Sequence, residues 1–240
     1  MKLSISEYTF STKEKMNLSF AFVSDLHNFQ NAPILDAISS MGADAILVGG
    51  DFIHNNFICD QGFEFLSLAS KMLPTFCALG NHEMRYLGDL RKRILKTGAI
   101  LLDNDFVSFK GISIGGLTSG AFYLKGEHLP DTDFLTEFSK LQGFKLLLCH
   151  HPEYYPKYIK DLPIDLTLSG HAHGGQWRFF GKGVYSPGQG IFPKYTGGVY
   201  DERLAVSRGL GNLNLVPKIN NPPEILKICI INNKKCEIVN

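Results

Sequence analysis

The chain lacks the features that mark several common protein classes. Its five cysteines, Cys59, Cys77, Cys149, Cys229 and Cys236, are odd in number, scattered, and never spaced as a CxxC pair. That argues against a disulfide-stapled scaffold and a thiolate zinc site, and predicts reduced thiols used mostly as small core residues. No apolar run approaches the roughly 18 residues of a membrane span. Residues 1–15 are polar and carry no apolar signal core, so a cytoplasmic location is expected. Lys and Arg number 24 against 23 Asp and Glu, a formal net charge of +1. That balance gives no bulk attraction to nucleic acid. Repeats, low-complexity blocks and linkers are absent too, so one domain over residues 1–240 is expected.

What is present is a recurring unit in a chain of 240 residues, 44% hydrophobic and 20% charged, the composition of an α/β domain with a large core. The apolar run 18–24 ends in Asp25-Leu26-His27, and the run 45–48 ends in Gly49-Gly50-Asp51. Between them Ile34, Leu35 and Ile38 predict a helix, with Asn31 as its cap and a stop near Gly42. Strand, helix and strand predict a βαβ unit, and α/β folds hold ligands in the loops at the carboxyl ends of such strands. A helix over 63–72 is ended by Pro74, and a strand over 75–79 runs into Gly80-Asn81-His82-Glu83. A helix over 87–96 is closed by Gly98, and residues 107–109 and 112–115 predict a hairpin turning at Lys110-Gly111. A short helix over 134–141 precedes a strand over 144–149 that enters His150-His151-Pro152. The run 164–168 leads into Gly170-His171-Ala172-His173-Gly174-Gly175-Gln176, and strands are expected again over 204–207 and 225–232.

Five strands therefore end in ligand-type side chains: Asp25/His27, Asp51, Asn81/His82, His150/His151 and His171/His173. Any one has an ordinary explanation, as a turn residue, a helix cap or a surface histidine. Five at the same end of one set of strands are poorly explained that way. Residues two apart in an extended turn face one side, so His171 and His173 can share a cavity, as can Asp25 and His27. Neutral imidazole is the commonest protein metal ligand.

D-x-H, G-D, G-N-H-E, H-x-P and G-H-x-H, in this order over residues 25–176, resemble the calcineurin-like metallophosphoesterase superfamily. Gly170 to Gln176, followed by Ser186-Pro187 and Ser207-Arg208-Gly209, is more closely similar to its YkuE/YaeI-like bacterial branch. The resemblance implies an α/β fold, a four-layer α/β/β/α sandwich of two mixed β-sheets flanked by helices. It implies two divalent metal ions (Mn, Fe, Zn or Co, with Mn favoured). Asp25, His27 and His173 match the ligands of one, Asn81, His150 and His171 those of the other, and Asp51 the carboxylate that bridges them. It implies hydrolysis of a phosphate ester or pyrophosphate by a metal-activated water. His82 matches the catalytic histidine, which protonates the leaving oxygen or hydrogen-bonds the phosphoryl group. At one point the chain departs from the pattern: His54 stands where several branches carry an aspartate that orients this histidine. Glu83 reads either as a further support or as a charge at a helix start. Arg85 reads as a contact to substrate phosphate or as a solvated side chain.

The segment 177–200 carries Trp177, Phe179, Phe180, Tyr185, Ile191, Phe192, Tyr195 and Tyr200 with Arg178, Lys182 and Lys194 among them. These side chains either complete the core or form an apolar groove with a basic rim, faced by Phe122, Tyr123, Leu124 and Lys125. The groove reading implies an amphipathic or lipid-linked phosphate substrate. UDP-diacylglucosamine-type pyrophosphates, which enzymes resembling some members of this branch cleave, are the leading candidate, and peripheral membrane contact is compatible with it. A scaffold that has lost catalysis and a phosphodiesterase or nuclease acting on nucleotides are the alternatives.

Overall fold

The computed structural model describes residues 2–27, 29–54, 59–119, 129–212 and 217–232. The chain begins with β1 (Ser4–Thr12), β2 (Asn17–Val23), α1 (Asn31–Ser39), β3 (Ala45–Gly49), α2 (Asp60–Met72) and β4 (Thr75–Ala78). It continues through α3 (Leu90–Leu95), β5 (Ile100–Leu102), β6 (Asp105–Phe109), β7 (Ile112–Leu117), α4 (Thr132–Ser139), β8 (Lys145–Cys149) and β9 (Leu166–Ser169). Two small ribbons follow, β10 (Arg178–Phe179) with β11 (Lys182–Gly183) and β12 (Tyr185–Ser186) with β13 (Gly190–Ile191). The last strands are β14 (Gly198–Tyr200), β15 (Leu204–Val206) and β16 (Glu224–Asn232).

The strands form two six-stranded mixed sheets, in the orders β1-β16-β2-β3-β4-β5 and β14-β15-β9-β8-β7-β6. β2, β3, β4 and β5 run parallel in the first, and β7, β8, β9 and β15 in the second. Central parallel strands are covered on both faces, so their sequences are apolar throughout. Side chains alternate between the faces. In β2, Phe20 and Phe22 point toward the other sheet, while Ala21 and Val23 point toward the helices. Phe20, Phe22, Leu47 and Phe76 meet Ile114, Leu146, Leu148 and Leu168 between the sheets. Ile34, Ile38, Phe63, Leu66 and Ile94 from α1, α2 and α3 cover the outer face of the first sheet. Phe134, Leu135 and Phe138 of α4 cover the second. The result is the four-layer α/β/β/α sandwich. Cys59, Cys77 and Cys149 are buried free thiols in the two outer cores.

Several local expectations are corrected. Asn31 lies inside α1 and does not cap it; its Nδ2 donates to Gln61 O and Glu64 Oε2, tying α1 to α2. α3 begins at Leu90 and not at residue 87, because Asp89 Oδ1 accepts the Lys92 amide and sets the first turn there. α2 begins three residues earlier than its apolar stripe, at Asp60. Residues 4–12, read only as polar, form the edge strand β1, paired in parallel with β16. The aromatics of 177–200 do not complete the core: Tyr195 is buried, but Phe179, Phe180, Tyr185, Ile191 and Phe192 are exposed. The expected facing lip with Phe122, Tyr123, Leu124 and Lys125 lies outside the described residues.

Helix α2 packs tightly against the segment that follows Asp51. A Cβ at Gly62 would lie 2.1 Å from the Phe52 carbonyl oxygen. Alanine gains about 1 kcal/mol of helix propensity over glycine, but overpacking against backbone costs typically 1–3 kcal/mol. Gly62→Ala is therefore expected to be destabilised, with a lower urea midpoint at unchanged m-value. A raised midpoint would show that the helix shifts freely away from Phe52.

Candidate metal centre

The site is built where both sheets present the carboxyl ends of neighbouring strands. β2 delivers Asp25 and His27, β3 delivers Asp51, and β4 delivers Asn81 and His82; β8 and β9 bring His150, His151, His171 and His173 from across the sandwich. Asp25, His27, Asp51, Asn81, His150, His171 and His173 are all buried. The backbone turns sharply to aim them inward. Asp25, His27, Asp51, His171 and His173 all lie in the left-handed region, with φ between 46° and 64°. Non-glycine residues seldom adopt it, although Asp and His do so more readily than most.

Ligand atoms gather in four overlapping groups of three among the described residues, two of which consist only of predicted metal ligands. Asp25, His27 and His173 form one, and Asp51, His150 and His171 the other. In the first, His27 Nε2 lies 3.3 Å from His173 Nε2, which lies 3.5 Å from Asp25 Oδ1. In the second, His150 Nε2 lies 3.1 Å from Asp51 Oδ2. The same Oδ2 is 4.0 Å from His27 Nε2, so one Asp51 oxygen faces both groups, while Oδ1 accepts the His82 amide at 2.9 Å. The far ring nitrogens are anchored to backbone: His150 Nδ1 to Gly49 O at 2.7 Å and His27 Nδ1 to Ile53 O at 3.3 Å. Such contacts fix the tautomer and aim the other nitrogen at a ligand position.

These residues fit metal ions on their own geometry. A four-coordinate cation with ligands at about 2.1 Å holds neighbouring ligand atoms about 3.4 Å apart. The separations in the first group, 3.3 and 3.5 Å, match that spacing. Asn81 Oδ1 is buried with no hydrogen-bond partner among the described residues, an acceptor of the kind a cation satisfies. The donors are imidazole, carboxylate and amide oxygen, a set that suits Mn, Fe, Zn or Co.

His82 stands at the rim. Its side chain is 17% exposed, whereas those of His27 and His150 are fully enclosed. Its Nδ1 is held by the backbone carbonyl of His54, so main chain occupies the role that an aspartate side chain has in several branches. Its Nε2 is left 3.8 Å from Asp51 Oδ2. Arg85 is exposed at the end of the single turn Glu83–Arg85, three residues from His82.

Three supporting residues were ambiguous or silent in the sequence. Glu83 is buried and accepts amides from Asp51 at 2.7 Å, Gly80 at 2.7 Å and Ile53 at 3.0 Å. It is the hub of two ligand loops and also opens the single turn Glu83–Arg85; burial, reinforced by Asp51, raises its pKa to about 7. Asn221 donates to His173 O and Gln176 O, fastening the last ligand loop. Its signal, an asparagine before Pro222-Pro223, is too common to read. Glu153 Oε1 lies 3.8 Å from His171 Nε2, and His151 packs there with it.

Burial and neighbouring histidines hold the His27 pKa at about 3, and burial with the Lys218 charge does the same for His173, so both rings are neutral at pH 7. Burial opposes charge on His150 too, but Asp51 and Asp25 outweigh it and raise its pKa to about 10. A metal must displace the His150 proton, so affinity rises with pH while that proton remains bound. Loading at pH 7 is expected to release about one proton per chain from His150, read as a dependence of the binding heat on buffer ionisation enthalpy. The release should fall by about one in His150→Asn. Equal release from the two proteins would show that His150 is neutral before loading.

Comparison with known proteins agrees with this geometry. A model of the family described as Calcineurin-like phosphoesterase matches residues 18–175, well over half of the chain. YpbG of Bacillus subtilis is 27% identical over 226 residues, covering 90% of this chain and 83% of that protein. YkuE of the same organism, a metallophosphoesterase, is 27% identical over 237 residues, covering 94% and 81%. The phosphodiesterase YaeI of Escherichia coli is 27% identical over 244 residues, covering 88% and 81%. Because the matched span contains all five ligand loops, from Asp25 to His173, the chain belongs to the calcineurin-like phosphoesterase family and is a metallophosphoesterase.

Proposed function

We propose that the chain is a dinuclear phosphohydrolase that cleaves a phosphodiester or pyrophosphate, with manganese as the working ion. Asp25, His27 and His173 would hold one cation and Asn81, His150 and His171 the other, with Asp51 Oδ2 facing His27 of one group and His150 of the other. When bound, the cations supply an activated water and neutralise phosphoryl charge. The observation that carries the reading is the placement of His82. It is the partly exposed ring at the rim of an otherwise enclosed site, and its Nδ1 is already committed to the His54 carbonyl. With Nδ1 on that carbonyl, Nε2 is the nitrogen that would pass a proton to the leaving oxygen. Arg85, nearby in chain and exposed, is proposed to meet an outer phosphate oxygen. The relative YaeI is named a phosphodiesterase, which favours a substrate with two substituents on phosphorus or a phosphoanhydride over a monoester.

The substrate proposal is an amphipathic compound such as a UDP-diacylglucosamine-type pyrophosphate. A cleft of about 590 Å³ beside the ribbons is lined by Lys182, Phe192, Pro193, Lys194, Thr196 and Tyr200 among others, an apolar wall with two lysines at its edge. Two of its lining residues pack on the ligand loop: a Cβ at Gly175 would lie 2.4 Å from Gly183 Cα and 3.2 Å from Thr196 Cγ2. A chain in the cleft would therefore start close to the metals. We also propose that the protein works where thiols stay reduced, in keeping with its buried free cysteines.

His82→Ala is expected to lose about 10²–10⁴ in rate on esters with poor leaving groups, and much less on nitrophenyl esters, which leave without a proton. Equal losses on both would assign His82 to phosphoryl positioning. Acylated and deacylated forms of one pyrophosphate, compared below saturation, are expected to differ in kcat/KM in favour of the acylated form. That preference should shrink in folded Phe192→Ala. Indifference to the acyl chain would remove the cleft from the substrate site.

A further inference from the structure

The ribbons carry a second feature, independent of what is hydrolysed. Phe179 pairs with Lys182 across the first ribbon, leaving Phe180-Gly181 as a two-residue turn with φ of 51° and 78°. Both positive values belong to the turn type that favours Asn-Gly, where a bulky aromatic is an outlier. Phe180 is nevertheless there, fully exposed. Phe192 repeats the oddity, with φ of 53° and 81% exposure. An exposed aromatic in a strained conformation costs folding free energy and returns little packing. The return must come from outside the chain, an inference that runs from outlier to function.

The surroundings say what that outside is. From Trp177 to Tyr200 the chain has Arg178, Lys182 and Lys194 and no Asp or Glu, although the whole protein is almost neutral. Arg178 is turned inward, onto Gly174 O and Thr196 Oγ1, but Lys182 and Lys194 are exposed beside the phenylalanines. Trp177 and Tyr185, both part-exposed, stand at the base of the ribbons. Apolar tips, amphipathic aromatics behind them and the exposed lysines among them, of which Lys194 also feels the Asp201 carboxylate, are complementary to an anionic bilayer surface. The ribbons are also one unit with the site. The Val184 amide donates to Trp177 O and Gly175 O, the Phe192 amide donates to Val184 O, and a Cβ on Gly188 would lie 3.5 Å from His171 Nε2.

We propose that the two ribbons are a membrane-docking face, which seats the tips of Phe180 and its neighbours among anionic lipid headgroups and presents the metal centre to the bilayer surface. This goes beyond the substrate reading, since docking would hold even for a soluble phosphate. The test is sedimentation of the full chain with phosphatidylcholine vesicles, with and without one third phosphatidylglycerol, in the absence of substrate. Wild type is expected to partition onto the anionic vesicles at low salt and at least tenfold less onto the neutral ones. Phe180→Ser is expected to lower partitioning several-fold at any salt. Lys182→Glu should lower it about fivefold or more, at low salt only. Thermal melts check that each variant is folded. Wild type that ignores anionic vesicles overturns the proposal, and so does Phe180→Ser that binds them like wild type. A dimer in solution that Phe180→Ser dissociates would also overturn it, by assigning the face to a second copy of the chain. Because the readout is binding without turnover, an inactive but membrane-bound protein would refute the hydrolytic reading alone.

Discussion

Everything at the centre of this molecule answers to the burial of Asp51. A carboxylate taken out of water loses several kcal/mol of hydration unless charge and hydrogen bonds replace it. Burial by itself would raise its pKa; His150 and His82 pull it well below the ordinary range. Its Oδ1 takes the His82 amide, and its own amide is held by Glu83, so its orientation is set from both ends. The second oxygen is then committed to the space between the two histidine groups. Glycine follows from the same constraint: a Cβ at Gly80 would lie 2.2 Å from Asp51 Oδ1, and one at Gly170 would lie 2.5 Å from Asp25 Oδ2. These motif glycines give up their side-chain volume to the carboxylates. Gly170 does so without needing a positive φ.

The sandwich makes such a site affordable in conformational terms. A left-handed non-glycine residue costs roughly 1–2 kcal/mol, and five of the ligand-type residues are in that state. Such strain persists only where the surroundings over-determine it. Here each turn leaves a central strand that is hydrogen-bonded on both sides, and the loops are cross-tied. The Asp25 amide donates to Gly50 O, the His27 amide to Asp51 O, and the His171 amide to both Asp25 oxygens. The strained loops therefore hold one another, and the sheets hold the loops.

This division explains what could be read from the sequence. Continuous apolar runs ending in Asp, Asn or His are visible in one dimension, because parallel strands are buried on both faces and their ends share one side of the sheet. The five loops and the hairpin at Lys110-Gly111 were legible for that reason. β1 was not, because half of its residues face solvent and its order comes from pairing with β16, over two hundred residues away. The support of His82 was not legible either. It is a backbone carbonyl, and every residue has one; only the fold decides that the one at His54 is in reach. Glu83 was ambiguous because a carboxylate one position past the histidine can cap, bridge or dangle. Its three amide donors come from two loops that meet only in the folded chain.

The histidine loop carries a further consequence of continuity. His171 and His173 are followed, without any linker, by the ribbons. Gln176 is left-handed, Asn221 bonds both His173 O and Gln176 O, and Gly175 lies against Gly183. Ligands, cleft wall and exposed aromatics thus belong to one braced segment. Phe192 is tied to the ligand loop by backbone hydrogen bonds, its amide donating to Val184 O and the Val184 amide to Gly175 O. In a phosphoesterase whose metals treat every phosphoryl group alike, selectivity has to come from what flanks the phosphorus. The segment 177–200 is where this chain places its least ordinary side chains, and it does so at the one loop that the metal centre cannot release.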